Sequence, residues 1–275
     1  MFETQYYSLV AGLKEYSLDG EAKGFDAKAI VEEIMEGVSA KDAEAVKLLY
    51  GYYDCENIIS FRSGRTAHNP LGMLTREQIE DRVACDEMLP EQVAQVIASY
   101  SDSGSLTELD GGVKFEKALF GAYYVECAKS SCSFLRKWAE TDRNIRNIST
   151  AVVARTKGVV VEEVVVGDGY IVDQLTKSSA ADFGLRGELS YIDGLIAAIN
   201  DEANMVEKEH KIDLIRWDES TDLLNFDYFN INMIMSYLVK VNIVARWAML
   251  DPKRGRKLFE AMVGELSAKE MINKQ

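Results

Sequence analysis

The stretch FLRKWAETDRNIRNISTAVVARTKG, residues 134–158, decides how the rest of this chain is read. Apolar residues recur through it at steps near three, four and seven: Phe134, Trp138, Ile145, Ile148 and Val152. That period marks an amphipathic helix, because positions three and four apart share a face. The stripe extends back through Phe115, Leu119, Ala122 and Cys127, and no Gly or Pro stands between Gly121 and Gly158. It predicts one helix of about 40 residues, ~60 Å at 1.5 Å per residue, or two helices with a kink. Asn147 and Arg155, eight residues apart, lie on one face about two turns from each other. The charges and amides around the stripe read either as a solvated surface or as a polar network fixing neighbouring helices. Such a network must be nearly fully paired if it is buried.

Helix signals also dominate outside this stretch. Asp26 caps a helix carrying Ile30, Ile34 and Val38, and Ser39 with Asp42 forms a capping-box pattern ahead of Val46, Leu49, Tyr50 and Tyr53. Thr75 and Gln78 form another before Ile79 and Val83, and Pro90 suits a first helical turn before Val93, Val96 and Ile97. A second long stripe runs from Leu185 through Ile192, Ile199, Ala203 and His210 to near Trp217, and a third from Phe229 to Leu250. Asp251 and Pro252 open a last helix through Leu258, Met262 and Leu266. Ser99 to Gly112 reads as a polar loop, with room for a small hairpin from Leu106 to Phe115 through Asp110, Gly111 and Gly112. Val159 to Val166 is β-branched and suggests a strand on propensity. A lone strand has no partner in a chain of helices, so a short helix held by packing is the expectation. The fold class is therefore all-α. Helices this long point to one elongated domain over residues 1–275.

Composition bounds the function. The 275 residues are 47% apolar and 28% charged, with only 3 Pro, as in a globular helical protein. The net charge of −14 argues against a nucleic-acid partner and against docking on anionic lipid. The apolar run from Ile231 to Leu250 is interrupted by Asn232, Lys240, Asn242 and Arg246, so it reads as a core helix and not a membrane span. Residues 1–5 do not open a leader peptide, and Cys55, Cys85, Cys127 and Cys132 form no C-x-x-C pair. A reduced, cytoplasmic protein with ordinary buried thiols is expected. The E-x-x-H pattern of Glu207 and His210 lacks a facing copy, since His68 has no acid three residues earlier. No Walker loop or G-x-S-x-G elbow occurs, and Gly167-Asp168-Gly169 is too short to cradle phosphates. No catalytic residue, cofactor or metal is expected.

A faint internal repeat remains. Asp54, Asn57 and Ile58 recur in altered form as Asn144, Asn147 and Ile148, both on aromatic-rich helices, and Tyr237 to Arg246 reads as a degenerate third copy. The run Asp142-x-x-x-x-Asn147-Ile148, then Arg155-x-Lys157-Gly158 and Glu162-Glu163, resembles the repeat signature of the C subunit family of V/A-type ATPases, called subunit d in the eukaryotic enzyme. The opening Tyr6-Tyr7-Ser8-Leu9-Val10-Ala11-Gly12-Leu13 resembles a divergent bacterial branch encoded beside V-type ATP synthase subunits.

The resemblance implies an all-helical funnel of three pseudo-repeats, roughly 1–100, 101–184 and 185–275. It implies a non-catalytic socket that joins the central-stalk subunits to the membrane proteolipid ring and transmits torque in proton or sodium transport. Such a protein is peripheral to the membrane through its complex, and a monomer outside it. Asp54, Asn57, Asn144, Arg146, Asn147 and Arg155 are the candidates for either the wall of the cavity or the packing of the repeats. A free-standing helical adaptor with a different partner is the alternative.

Overall fold

The computed structural model describes residues 4–18, 24–81, 87–102, 109–201, 204–224 and 227–250. Among them the elements are all helices: α1 (Tyr7–Gly12), α2 (Ala27–Gly37), α3 (Ala40–Arg62), α4 (Arg76–Glu80), α5 (Glu91–Asp102), α6 (Leu109–Lys129), α7 (Ser133–Lys157), α8 (Val161–Val164), α9 (Tyr170–Lys177), α10 (Ile192–Asn200), α11 (Met205–Asp222) and α12 (Ile231–Met249). The all-α class stands. Several starts follow from the sequence directly. Asp26 accepts from the amides of Lys28 and Ala29 to cap α2, and Thr75 and Gln78 close a reciprocal capping box on α4. Ser39 caps α3 through Asp42 N–H, but its own amide donates to the Tyr6 hydroxyl, which in turn donates to Asp42.

The long predicted stripes are cut. In place of one 40-residue helix or a kinked pair, α6 and α7 are separate helices that pack against one another across Ser130, Ser131 and Cys132. No helix breaker marks that turn. The missing cap at the start of α7 is supplied by α12: Asn232 Oδ1 accepts from Phe134 N–H at 3.1 Å and from Ser133 Oγ at 3.2 Å. The second stripe divides into α10 and α11, where the Asn204 side chain caps the new start. The third is α12. At 25 residues, about 37 Å, α7 is one of the longest helices described, and helix length no longer argues for an elongated body. The expected polar loop and hairpin are corrected as well. Helix α5 continues to Asp102, and α6 starts at Leu109 and carries Asp110, Gly111 and Gly112 in its first turn. Leu106, Val83, Cys85, Ala203 and the segment 251–275 with its expected final helix lie outside the described residues. Val159 to Val166 holds the short helix α8 and no strand.

Helix α7 organises the packing, touching α6, α8, α9, α10, α11 and α12. Its first half buries Phe134, Leu135, Trp138 and Ala139 in a core shared with α2, α3, α5, α6 and α12. Its second half buries Ile145, Ile148, Ala151 and Val152 in another core with α9, α10 and α11. Each large apolar side chain so buried contributes roughly 1.5–3 kcal/mol. Helix α7 ends at Gly158, whose φ of +69° is a left-handed conformation that favours glycine.

Asn57 and Asn147 hold the returning chain in the same way. On α3, Asn57 Oδ1 accepts from Asn69 N–H at 2.6 Å while its Nδ2 donates to Asn69 C=O at 3.0 Å. On α7, Asn147 makes the same two bonds to Val166, both at 2.8 Å. Each amide clamps the segment that follows its helix and satisfies a backbone N–H and C=O that no helix serves. Beside the first clamp, a Cβ at Gly72 would stand 2.5 Å from Asn57 Nδ2 and 2.9 Å from Asp54 Oδ1, so the backbone approaches too closely for any side chain. Replacing Asn147 by Ala strands both Val166 groups and should cost about 2–4 kcal/mol in urea unfolding. Gly72→Ala should also destabilise, whereas Arg65→Ala, on the exposed chain after α3, should change stability by less than about 0.5 kcal/mol.

Candidate functional site

Between the two cores, α7 turns polar. Asp142 is buried where the stripe crosses from one core to the other, and it meets two guanidinium groups: Arg146 Nε at 2.6 Å and Arg216 Nε at 3.2 Å. The Tyr124 hydroxyl donates to the same carboxylate at 3.2 Å. Arg216 continues to Asp213 at 3.0 Å, and Asp213 also accepts from Arg246 Nη1 at 2.8 Å and from Trp247 Nε1 at 2.9 Å. Arg246 closes the chain on Glu209. Three carboxylates and three guanidinium groups thus form one neutral network across α7, α11 and α12. The guanidinium of Arg146 also lies 4.0 Å from the centroid of Tyr52, which stacks on Phe120.

The network lines a central hollow. A cavity of about 330 Å³ is walled by α3, α6, α7, α11 and α12, and a second of about 480 Å³ shares Tyr52, Tyr124, Arg146, Glu209 and Arg216 with it. Positions 90 residues apart share the wall. Leu49, Tyr52 and Glu56 of α3 face the first cavity, and so do Ala139, Asp142 and Arg146 of α7, each 90 residues later. Burial alone would raise the Asp142 carboxyl, but Arg146 and Arg216 outweigh it and hold Asp142 below the ordinary carboxylate range. Arg146 is opposite in kind: burial opposes its charge, and Asp142 more than restores it.

The six residues singled out in the sequence separate into roles. Arg146 lines both cavities of the central hollow, and Asn147 borders the second. Asp54 accepts from Leu74 N–H at 2.9 Å, and burial pushes its carboxyl up to about 6 against the lowering of the Leu74 and Met73 amides. Asn57 and Asn147 are the two clamps. Arg155 donates to the carbonyls of Ala180 and Ser178 and stacks over Phe183 at 3.7 Å, so it fixes the chain after α9. Asn144 is buried with its Oδ1 unpartnered. Glu209, Asp213 and Arg216 were not singled out. Their spacing of four and three on a helix with an apolar face was the available signal, as was Arg246 inside an otherwise apolar run. Asn242, followed by Ile243 on α12, falls within the segment from Tyr237 to Arg246 read as a degenerate third copy.

Among the described residues no cluster of His, Cys, Asp or Glu is placed to hold a metal ion, and no helix is long and apolar enough to cross a membrane. His210 packs edge-on to Trp247 at 5.5 Å, Cys127 and Cys132 are buried free thiols, and Cys55 is buried. Fold and site define a helical protein built round a charge-paired hollow. The chain belongs to the family described as protein of unknown function (DUF2764), whose model matches residues 3–270. A search of curated proteins found no match.

Asp213 is itself buried, and removing it would take from the half-buried Arg216 and Arg246 the carboxylate they share. Asp213→Ala should therefore cost about 3–5 kcal/mol, against less than about 1 kcal/mol for Lys28→Ala at the exposed Lys28–Glu32 pair. The two shifted aspartates should act oppositely with pH. Asp54 binds its proton more readily when folded, so the folded state gains stability as pH falls from about 6 towards the unfolded carboxyl value near 4. Relative to Asp54→Asn, the wild type should gain about 2–3 kcal/mol between pH 7 and pH 4. Asp142, held low, contributes stability above the unfolded value and loses it as pH falls through its folded value. Asp142→Asn should remove that low-pH loss in urea titrations.

Proposed function

We propose that this protein is a non-catalytic subunit of a V/A-type rotary ATPase, the socket between central stalk and proteolipid ring that transmits torque during proton or sodium transport. The observation that carries the reading is the central hollow, whose wall is contributed by α3 and α7 in a 90-residue register. A coupling socket needs a wall that resists twist. Close-packed helices deform little, and a neutral network of paired charges ties the wall helices together without an unbalanced ion. The excess of acids, 45 against 31 bases, favours docking on a basic stalk end through complementary fields. On this reading the protein sits in the cytoplasm, peripheral to the membrane through the rotary complex, and performs no chemistry.

Affinity purification of the full chain from its native cell should bring down stalk subunits and the proteolipid ring together, with recovery falling as salt rises. Recovery of a discrete partner unrelated to the rotary complex would replace this role with that of a free-standing helical adaptor. Failure to associate with stalk or ring at any ionic strength would end the socket reading.

A further inference from the structure

The second cavity of the central hollow, about 480 Å³, gathers positive charge in a chain whose net charge is −14. Lys117, Arg143, Arg146 and Arg216 line it, against the carboxylates of Glu116 and Glu209. Most of these charges are already matched. Arg146 and Arg216 pair with Asp142 and Asp213, and Glu209 pairs with Arg246. Lys117 reaches a carbonyl, that of Glu162, at 2.6 Å. Arg143 makes no hydrogen bond or ion pair with any described residue. Two cations without a carboxylate partner therefore share this wall with one exposed acid, Glu116. Arg143 is nonetheless seated. The clamp of Asn147 on Val166 brings the next residue, Gly167, against its guanidinium, where a Cβ would stand 2.8 Å from Nη1. The side chain is half-buried: its Nε is sealed off, but its terminal nitrogens are not. Arg143, Arg146, Asn147 and Thr150 follow at steps of three, four and seven, so one face of α7 looks into the cavity. Two like charges three residues apart on a helix repel each other, and Asp142 answers Arg146 alone.

The group that fits is an oxyanion. A basic cleft in an acidic protein concentrates anions locally, and guanidinium groups match oxygens carried in pairs. One guanidinium is enough for a carboxylate. Here donors arrive from α6 through Lys117 and from α7 through Arg143 and the Thr150 hydroxyl, which suits the tetrahedral oxygens of phosphate. The volume lies within the range of roughly 300–1,000 Å³ common for small-ligand sites, so room remains beyond the phosphate itself. Tyr52 and Phe120, with ring centroids 5.0 Å apart, wall that room with apolar surface. We propose that this cavity binds the phosphate group of a small phosphorylated molecule, with Arg143 as its principal contact. The site makes no use of the rotary role and stands or falls separately.

Calorimetric titration of the full chain at low salt tests it, with inorganic phosphate, pyrophosphate and acetate as probes. Saturable binding of both phosphate probes is expected, about tenfold or more tighter than acetate. Arg143→Met breaks no bond within the protein, so it should leave the melting temperature unchanged while weakening both phosphate probes by about tenfold or more. Arg143→Lys, which keeps the charge, should recover part of that loss. Lys137→Met removes the same charge from an exposed position on α7 and should change binding by less than about twofold. Absence of saturable binding by both phosphate probes, acetate binding as tightly as phosphate, or equal binding by wild type and a folded Arg143→Met would overturn the proposal. An equal loss in Lys137→Met would overturn it too, since it marks attraction to net charge alone.

Discussion

The paired contact of Asp142 with Arg146 and Arg216 is the constraint on which the arrangement of this protein depends. Helix α7 carries two apolar cores, and the carboxylate stands where one gives way to the other. A buried ion left alone costs several kcal/mol, so an acid at this point obliges neighbouring helices to bring guanidinium groups to it. Helix α11 does so with Arg216, and the debt passes on through Asp213 to Arg246 of α12. The helices are thereby held at a distance set by charged side chains and not by interdigitating methyl groups. A hollow results where a single continuous core would otherwise lie.

The connecting segments are held by a different device. Asn57 and Asn147 each present both halves of an amide to one backbone residue of the returning chain. Such a bidentate clamp fixes position and direction at once, and it lets irregular chain run against buried surface without orphaned peptide groups. Arg155 performs the same service one segment later, bridging two carbonyls and covering Phe183. In this protein the polar residues of the repeat are thus mainly fasteners, and the face that looks into the hollow is set by the residues between them.

Much of the fold was legible where the determining contacts are local. Asp26, Ser39 and Thr75 bond to amides two or three residues on, so their caps can be read from spacing alone. Helix α8 was legible for a negative reason, since β-branched residues without a partner strand have nowhere to pair. The break between α6 and α7 was hidden because its cause is remote: no Gly or Pro stops the helix, and the cap that starts the next comes from Asn232. The two clamps were legible as an echo of Asn and Ile, in which the Asn makes the clamp and the Ile packs in a core. The charged network was not. Its members are spread over three helices, and a helical Glu or Arg reads as solvent-facing until the opposing helix is known.

The loan of Asn232 has a bearing on how the chain is made. The amide of Phe134 and the side chain that satisfies it lie 98 residues apart. During synthesis the N-terminal end of α7 emerges long before its cap exists, and loop closure over such a span is slow compared with forming a helical turn. Until α12 leaves the ribosome, the first core lacks one wall and its apolar side chains face water. Closure of the first core therefore waits on α12, long after the start of α7 has emerged.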